Sequence, residues 1–134
     1  MSARGVTPGS PELRPGPGGA GLLTVSARAR EGYTLVNLDG EGDVTVRCRL
    51  RAALAAQVTA GTPCLVVDLS GLAYIDASCL QVLWRVSRMA EEAGGTMGLA
   101  APQPIVARVM DLWGARQVIG VHDSVAKAVI AVPR

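Results

Sequence analysis

The chain has 134 residues, of which 49% are apolar and only 3% aromatic, and its formal net charge is +2. This length allows one domain with a substantial core, which Ala, Val, Leu and Gly must fill because the chain has no Phe. The basic residues are scattered among acidic ones and there is no aromatic stacking platform, so we expect no nucleic-acid binding.

The cysteines and the histidine form no metal-binding pattern. Cys48, Cys64 and Cys79 lie in apolar contexts without ligand spacing, and His122 is remote from them in sequence. We therefore expect reduced, buried thiols, with no metal and no cofactor. Because no apolar run approaches the length of a membrane span and no signal-like segment opens the chain, we expect a cytoplasmic protein that does not insert into a membrane.

Two segments are predicted before the first helix. Residues 1–20 are rich in Pro, Gly and small residues, which predicts a disordered N-terminal tail before a domain spanning residues 21–134. Residues 22–30 and 33–38 then alternate apolar and polar side chains around Glu31-Gly32, a pattern typical of a β-hairpin. Residues 39–42 are expected to end its second strand.

The middle of the chain predicts helix, strand and helix. Asp43 is the expected N-cap of a helix that runs to about residue 60 and has an irregular first turn. Residues 64–68 predict a buried strand, followed by a turn at residues 68–71 and a short apolar segment. Asp76 is the expected N-cap of a second helix. We expect its carboxylate to accept a hydrogen bond from a backbone N–H in the first turn of that helix.

The remaining elements alternate strand and helix. The second helix should cover residues 77–93 and end at Gly94-Gly95. The pattern then predicts a strand at 97–100, a helix at 102–113 with an apolar stripe that includes Trp113, a strand at 117–121 and a helix at 124–132 capped by Asp123. This order predicts an α/β fold with about four helices and a mixed sheet, in which an opening hairpin precedes parallel strands.

Other residue groups support weaker hypotheses. Asp39, Glu41 and Asp43 could hold a metal or an acid/base pair, although turn and cap roles are favoured because nothing completes a coordination sphere. The glycine pairs lack the spacing of a nucleotide loop, and His122 has no accompanying nucleophile motif. We therefore expect a protein that is not an enzyme.

The second helix suggests a surface role. In a helical-wheel projection, one face of this helix is apolar and is expected to pack on the sheet. The opposite face carries Ser78, Val82, Arg85 and Met89. An apolar stripe that leads away from a helix-end hydroxyl suits docking of a partner protein, and isolated surface hydrophobes are the alternative. A phosphate on such a hydroxyl would be tolerated by the helix but would weaken a desolvated contact.

At this point a family resemblance becomes evident. The segment Asp68-Leu-Ser-Gly-Leu-Ala-Tyr-Ile-Asp-Ala-Ser-Cys-Leu80 resembles the central motif of the STAS domain, the sulfate transporter and anti-sigma factor antagonist domain, often D-x-S-G-[LV]-x-[FY]-[ILM]-D-S-[ST]-G-L. Supporting matches are Leu38-Asp-Gly-Glu-Gly-Asp43 and Val121-His-Asp-Ser124. The similarity covers about residues 22–133.

The resemblance implies an anti-sigma factor antagonist that works by partner switching in transcription regulation. In that scheme the antagonist binds an anti-sigma factor, usually a serine kinase, and frees a sigma factor. The kinase phosphorylates the serine directly after the motif aspartate, and the complex dissociates. The sequence leaves the oligomeric state open, with a homodimer as one possibility.

The sequence departs from the family at the switch position. The phosphorylated serine aligns with Ala77, while Ser78 aligns with the adjacent Ser/Thr and Cys79 replaces the usual Gly. Three explanations follow, with the most favoured given first: constitutive or differently regulated partner binding, phosphorylation of Ser78, and a role as the cytoplasmic STAS subunit of an ABC-type lipid-transport complex. The predicted partner-binding residues are Asp43, Asp76, Ala77, Ser78, Val82 and Met89.

Overall fold

The structure is a computed structural model that describes residues 23–60 and 62–133. The predicted disordered tail, residues 1–20, lies outside the described residues. The strands are β1 (Leu23–Arg30), β2 (Tyr33–Gly42), β3 (Leu65–Ile75), β4 (Met97–Ala100) and β5 (Gly120–His122). The helices are α1 (Arg47–Ala60), α2 (Ala77–Glu92), α3 (Pro104–Leu112) and α4 (Val125–Ile130), with a 3₁₀ turn at Ala115–Gln117.

The five strands form one mixed sheet in the order β1-β2-β3-β4-β5. β1 and β2 pair antiparallel as a hairpin, and the pairs β2–β3, β3–β4 and β4–β5 are parallel. Within the described part of the chain there are four α-helices, so the predicted α/β fold with an opening hairpin and later parallel strands is confirmed.

Helices cover both faces of the sheet. Leu65 and Val67 of β3 belong to the large core that also contains the buried residues of α1, α2 and α3. Val66, between them, points to the other face and packs in a smaller cluster with Ala128 of α4. This alternation is the period of two that a strand imposes on its side chains.

Two strands are longer than the sequence predicted. β2 continues through Gly42, and β3 runs without a break through the turn-like residues 68–71. Pairing with β2 passes from Asn37↔Asp68 to Asp39↔Gly71, so β3 carries an extra residue there and again after Leu72. The turn chemistry at residues 68–71 therefore produces a β-bulge instead of ending the strand.

Two predicted helix starts and one strand are also corrected. α1 begins at Arg47, because the Asp43 side chain accepts from the backbone N–H of Thr45 at 2.9 Å and stabilises a preceding turn. The N-cap of α4 is Ser124, whose Oγ accepts from Lys127 N, and not Asp123. Residues predicted as a strand at 117–121 form the end of the 3₁₀ turn and the start of β5.

The expectation of buried thiols holds for one cysteine of three. Cys79 is buried, Cys64 is half-buried and Cys48 is exposed on α1. The apolar neighbours of Cys48 in sequence do not share its face of the helix, since only Leu50, Ala53, Leu54 and Val58 of α1 are buried.

Candidate functional site

The junction between β3 and α2 holds a cluster of hydrogen-bonded polar groups. Asp76 has an extended backbone, and its Oδ1 accepts hydrogen bonds from Cys79 N at 3.0 Å and from Ser78 Oγ at 2.6 Å. Its own backbone N–H donates to Gly42 O at 2.9 Å. Asp76 is therefore the N-cap of α2, as predicted, and it also orients the Ser78 hydroxyl.

Cys79 ties the first turn of α2 to the end of β2. Its buried thiol donates to the backbone carbonyl oxygen of Asp43 at 3.2 Å. Burial, with a further contribution from the Asp76 carboxylate, raises the pKa of this thiol from 9.0 to about 12. Cys79 is thus a neutral packing residue at physiological pH, without the thiolate that a nucleophile or metal ligand needs.

Of the acidic residues at positions 39–43, Asp43 stabilises a turn of the backbone. Asp43 is half-buried, and its Oδ1 accepts from both the backbone N–H and the hydroxyl of Thr45. Asp39 and Glu41 are exposed on β2. Among the residues that the structure describes, no three His, Cys, Asp or Glu side chains are grouped so that they could hold a metal ion.

The structure brings together only part of the predicted partner-binding set. Asp76, Ala77 and Ser78 are half-buried neighbours at the start of α2. Val82 is only 4% exposed, on a helix that packs against α1, so its predicted place on an open helix face is wrong. Met89 is half-buried and lies eleven residues beyond Ser78, about 16 Å along the helix axis.

An apolar groove of about 150 Å³ borders Ala77 on one side. Trp84 of α2 and Trp113, which follows α3, contribute its two indole rings and are 38% and 66% exposed. The guanidinium of Arg88 lies over the Trp84 ring, 5.8 Å from its centroid. The lining residues are Ala77, Leu80, Gln81, Trp84, Trp113, Ala115, Val118 and Ile119.

This apolar groove was missed at the sequence level. The α3 pattern predicted Trp113 as a core residue, but α3 ends at Leu112 and Trp113 projects beyond it. The available signal was the rarity of aromatic residues, because the only two Trp residues of the chain line this groove.

A second cavity, which we call the arginine cavity, borders Ser78. Its volume is about 300 Å³, and Arg47 and Arg51 of α1 face Arg85 of α2 across it. Its other lining residues are Cys48, Ser78, Gln81 and Val82. The two adjacent residues at the start of α2 thus open onto different surroundings: Ala77 onto apolar side chains and Ser78 onto cationic ones.

Comparison with known proteins places this geometry in context. The STAS domain family model matches residues 24–128. An anti-sigma factor antagonist from Mycobacterium paratuberculosis has a similar structure, with a TM-score of 0.75 and 24% identity over 82% of this chain and 93% of that chain. The anti-sigma factor antagonist SpoIIAA in its unphosphorylated form is similar with a TM-score of 0.60 and 20% identity, over 76% and 87% of the two chains.

One similar structure belongs to a transporter. The murine anion transporter Slc26a9 matches with a TM-score of 0.65 and 21% identity, covering 77% of this chain but only 18% of the transporter. No curated protein matches the sequence. In residues 23–60 and 62–133, no helix is long and apolar enough to cross a membrane.

Proposed function

This chain belongs to the STAS domain family, and from that premise we propose that it acts as an anti-sigma factor antagonist. In this role it binds an anti-sigma factor of the serine-kinase type in the cytoplasm and takes part in a partner-switching system that regulates transcription. The role is that of a binding module without catalysis of its own.

The observation that carries the proposal is the apolar groove beside Ala77, the position where the family carries its switch serine. Exposed indole rings next to a half-buried polar junction resemble the centre of a protein–protein interface, where Trp residues are enriched. Ala77 lines this surface, and Asp76 and Ser78 are its neighbours at the start of α2. Asp43 is joined to the same turn through the Cys79 thiol. Val82, which is buried, and Met89, which is half-buried and far from Ser78 along the helix, are the less favoured contact residues of the proposed set.

Regulation of the proposed complex has two routes, which we rank. Ala77 has no hydroxyl, so constitutive binding, or binding under another control, comes first. Phosphorylation of Ser78 comes second, because its hydroxyl is half-buried and donates to Asp76 at 2.6 Å. A kinase acting on Ser78 must break this hydrogen bond before the hydroxyl can act as the acceptor.

The test is binding of the purified protein to the serine-kinase-type anti-sigma factors encoded by its source organism, measured by isothermal titration calorimetry. We expect one of them to bind, and expect Trp84→Ala and Trp113→Ala each to weaken binding at least about tenfold, as for anchor residues of an interface. Leu112→Ala, which removes an exposed apolar side chain outside the groove, is the matched control and should bind normally. Unchanged affinity in both Trp variants would contradict the proposed surface.

A second candidate is a cytoplasmic STAS subunit of an ABC-type lipid or transport complex. The similarity to part of the murine anion transporter supports it, since a STAS fold there belongs to a membrane transporter. Copurification of the tagged chain with a permease and its ATPase from solubilised membranes, with no anti-sigma factor bound, would favour this candidate over the first.

A further inference from the structure

The arginine cavity is formed by two helices that pack against each other. Arg47 and Arg51 are four residues apart on α1, so they lie one above the other on the same face. Arg85 extends from α2 on the opposite side, and Ser78 lies two turns before it on the same helix. The residues that line the cavity include no carboxylate.

The three cations that line this cavity belong to exposed arginine side chains. Within residues 23–60 and 62–133, none of Arg47, Arg51 and Arg85 forms an ion pair. Like charges held around one cavity repel each other, and a bound anion removes this repulsion. The cavity is therefore electrostatically suited to an anion.

We propose that the arginine cavity binds a phosphate oxyanion, with the Ser78 side chain at its edge. Guanidinium groups match phosphate oxygens in pairs, and three groups around one cavity offer more donors than a single phosphate can use. The ligand has two sources of the same chemistry: a phosphoryl group carried by Ser78, or a free phosphate. The first source rests on the proposed function, because it requires the partner kinase, and the second does not.

In the covalent route, ATP held by the kinase is the donor. Ser78 Oγ forms a bond to the γ-phosphorus, the bond from that phosphorus to the β–γ bridging oxygen breaks, and ADP leaves with the electron pair while the hydroxyl proton passes to a base of the kinase. The ester then carries about two negative charges into a site with three positive ones. Phosphorylation at Ser78 would thus reduce the charge that lines the cavity from three positive charges to about one.

The first arm of the test uses the full chain with phosphoserine incorporated at position 78, titrated by phosphorus NMR. We expect the second pKa of the phosphoserine to lie about one pH unit below that of the same phosphoserine in a short peptide, because the guanidinium groups favour the dianion. Arg51→Gln and Arg85→Gln should each move it toward the peptide value. Arg108→Gln, an exposed arginine on α3 outside the cavity, should leave it unchanged.

The nearby carboxylates act against this effect. Asp76, which accepts from Ser78, and Asp43, which begins the turn before α1, both disfavour a dianion at position 78. They are the same in every variant, so the differences among the arginine variants measure the cavity alone.

The second arm adds inorganic phosphate to the unmodified protein and follows the backbone amides by NMR. Saturable shifts around Ser78 and Arg51 that disappear in Arg51→Gln and Arg85→Gln assign the site to a free phosphate, while a response in the first arm alone assigns it to the Ser78 ester. A peptide-like phosphoserine pKa together with no phosphate-induced shifts would overturn the proposal. Neither arm measures partner binding, so a negative result here would not contradict the anti-sigma factor antagonist role. A negative result for that role would likewise not contradict phosphate binding in the arginine cavity.

Discussion

The Sγ atom of Cys79 lies 3.2 Å from the backbone oxygen of Asp43, which joins the first turn of α2 to the end of β2. Asp76 N donates to Gly42 O beside it, so two hydrogen bonds hold this corner together. A side chain on Gly42 would place its Cβ 3.5 Å from that of Cys79, which shows how closely the two elements pack. The corner fixes where Ala77 and Ser78 face, and therefore which cavity each of them lines.

The raised pKa of Cys79 predicts that alkaline pH destabilises the protein. The folded thiol has a pKa of about 12 against 9.0 for an ordinary one, so the unfolded chain loses this proton first. The stabilisation is therefore complete below pH 9 and falls between pH 9 and pH 12, by at most about 1.4 kcal/mol per pH unit. Urea unfolding of the wild type and of Cys79→Ser across this range measures it.

We expect Cys79→Ser to be less stable at neutral pH but to lose less stability above pH 9 than the wild type. Cys48→Ser, which removes an exposed thiol and leaves Cys79 in place, is the control and should retain the wild-type decline. If the free energy of unfolding fell equally with pH in the wild type and in Cys79→Ser, folding would not shift the pKa of Cys79.

The capping roles predict different costs for two aspartates. Asp76→Ala removes the acceptor of Cys79 N, and we expect the free energy of unfolding to fall by about 1 kcal/mol. Asp76→Asn should lose less, because an amide oxygen can still accept. Asp123→Ala removes only an exposed ion pair with Lys127 at 3.6 Å and should cost less than about 0.5 kcal/mol.

Denaturant unfolding at pH 7 compares these variants directly. Ser124→Ala should resemble Asp76→Ala, because Ser124 and not Asp123 caps its helix. A larger loss for Asp123→Ala than for Ser124→Ala would reverse this assignment.

The order of elements could be predicted from the sequence because it depends on local periodicity, which residues 22–38 and 77–93 carry clearly. The strand lengths could not. Asp68 to Gly71 has the composition of a turn, and only pairing with β2 makes it a bulged part of β3. Burial of Val82 likewise depends on the packing of α1 against α2. This contact joins distant parts of the chain, so a helical-wheel projection of α2 alone cannot predict it.

The candidate site was predictable in part for the same reason. The cap at Asp76 is a local hydrogen bond within four residues, and the sequence predicted it. The apolar groove and the arginine cavity each combine α2 with another segment, so their residues are separated in sequence by about thirty positions. Such sites follow from the packing of the elements and not from any one of them.

Close packing predicts that one glycine cannot be replaced. A Cβ on Gly95 would clash with the backbone oxygen of Pro63, which cannot turn away as a side chain could. We expect Gly95→Ala to lower the free energy of unfolding by about 1–3 kcal/mol, the usual cost of overpacking. Thermal unfolding monitored by circular dichroism measures the change.

Gly98→Ala is the matched control for this substitution. Its Cβ would meet the ring of His122 at 3.5 Å, an ordinary contact, so the change should stay within about 0.5 kcal/mol. Equal effects at the two glycines would mean that the approach of Pro63 to Gly95 is not what requires glycine there.

Ala77 lines the apolar groove, whereas Ser78 lines the arginine cavity. We therefore predict that phosphorylation of a serine introduced at position 77 weakens partner binding more than phosphorylation of Ser78 does. A phosphate on the Ala77→Ser side chain would bring about two negative charges into a desolvated contact. We expect this variant, incubated with the partner kinase and ATP, to be phosphorylated at position 77 and to lose at least about tenfold in affinity for the partner. Ala77→Ser combined with Ser78→Ala keeps position 77 as the only new acceptor and should behave the same way. Phosphorylation at position 77 without a loss of affinity would mean that the partner does not bind over the groove.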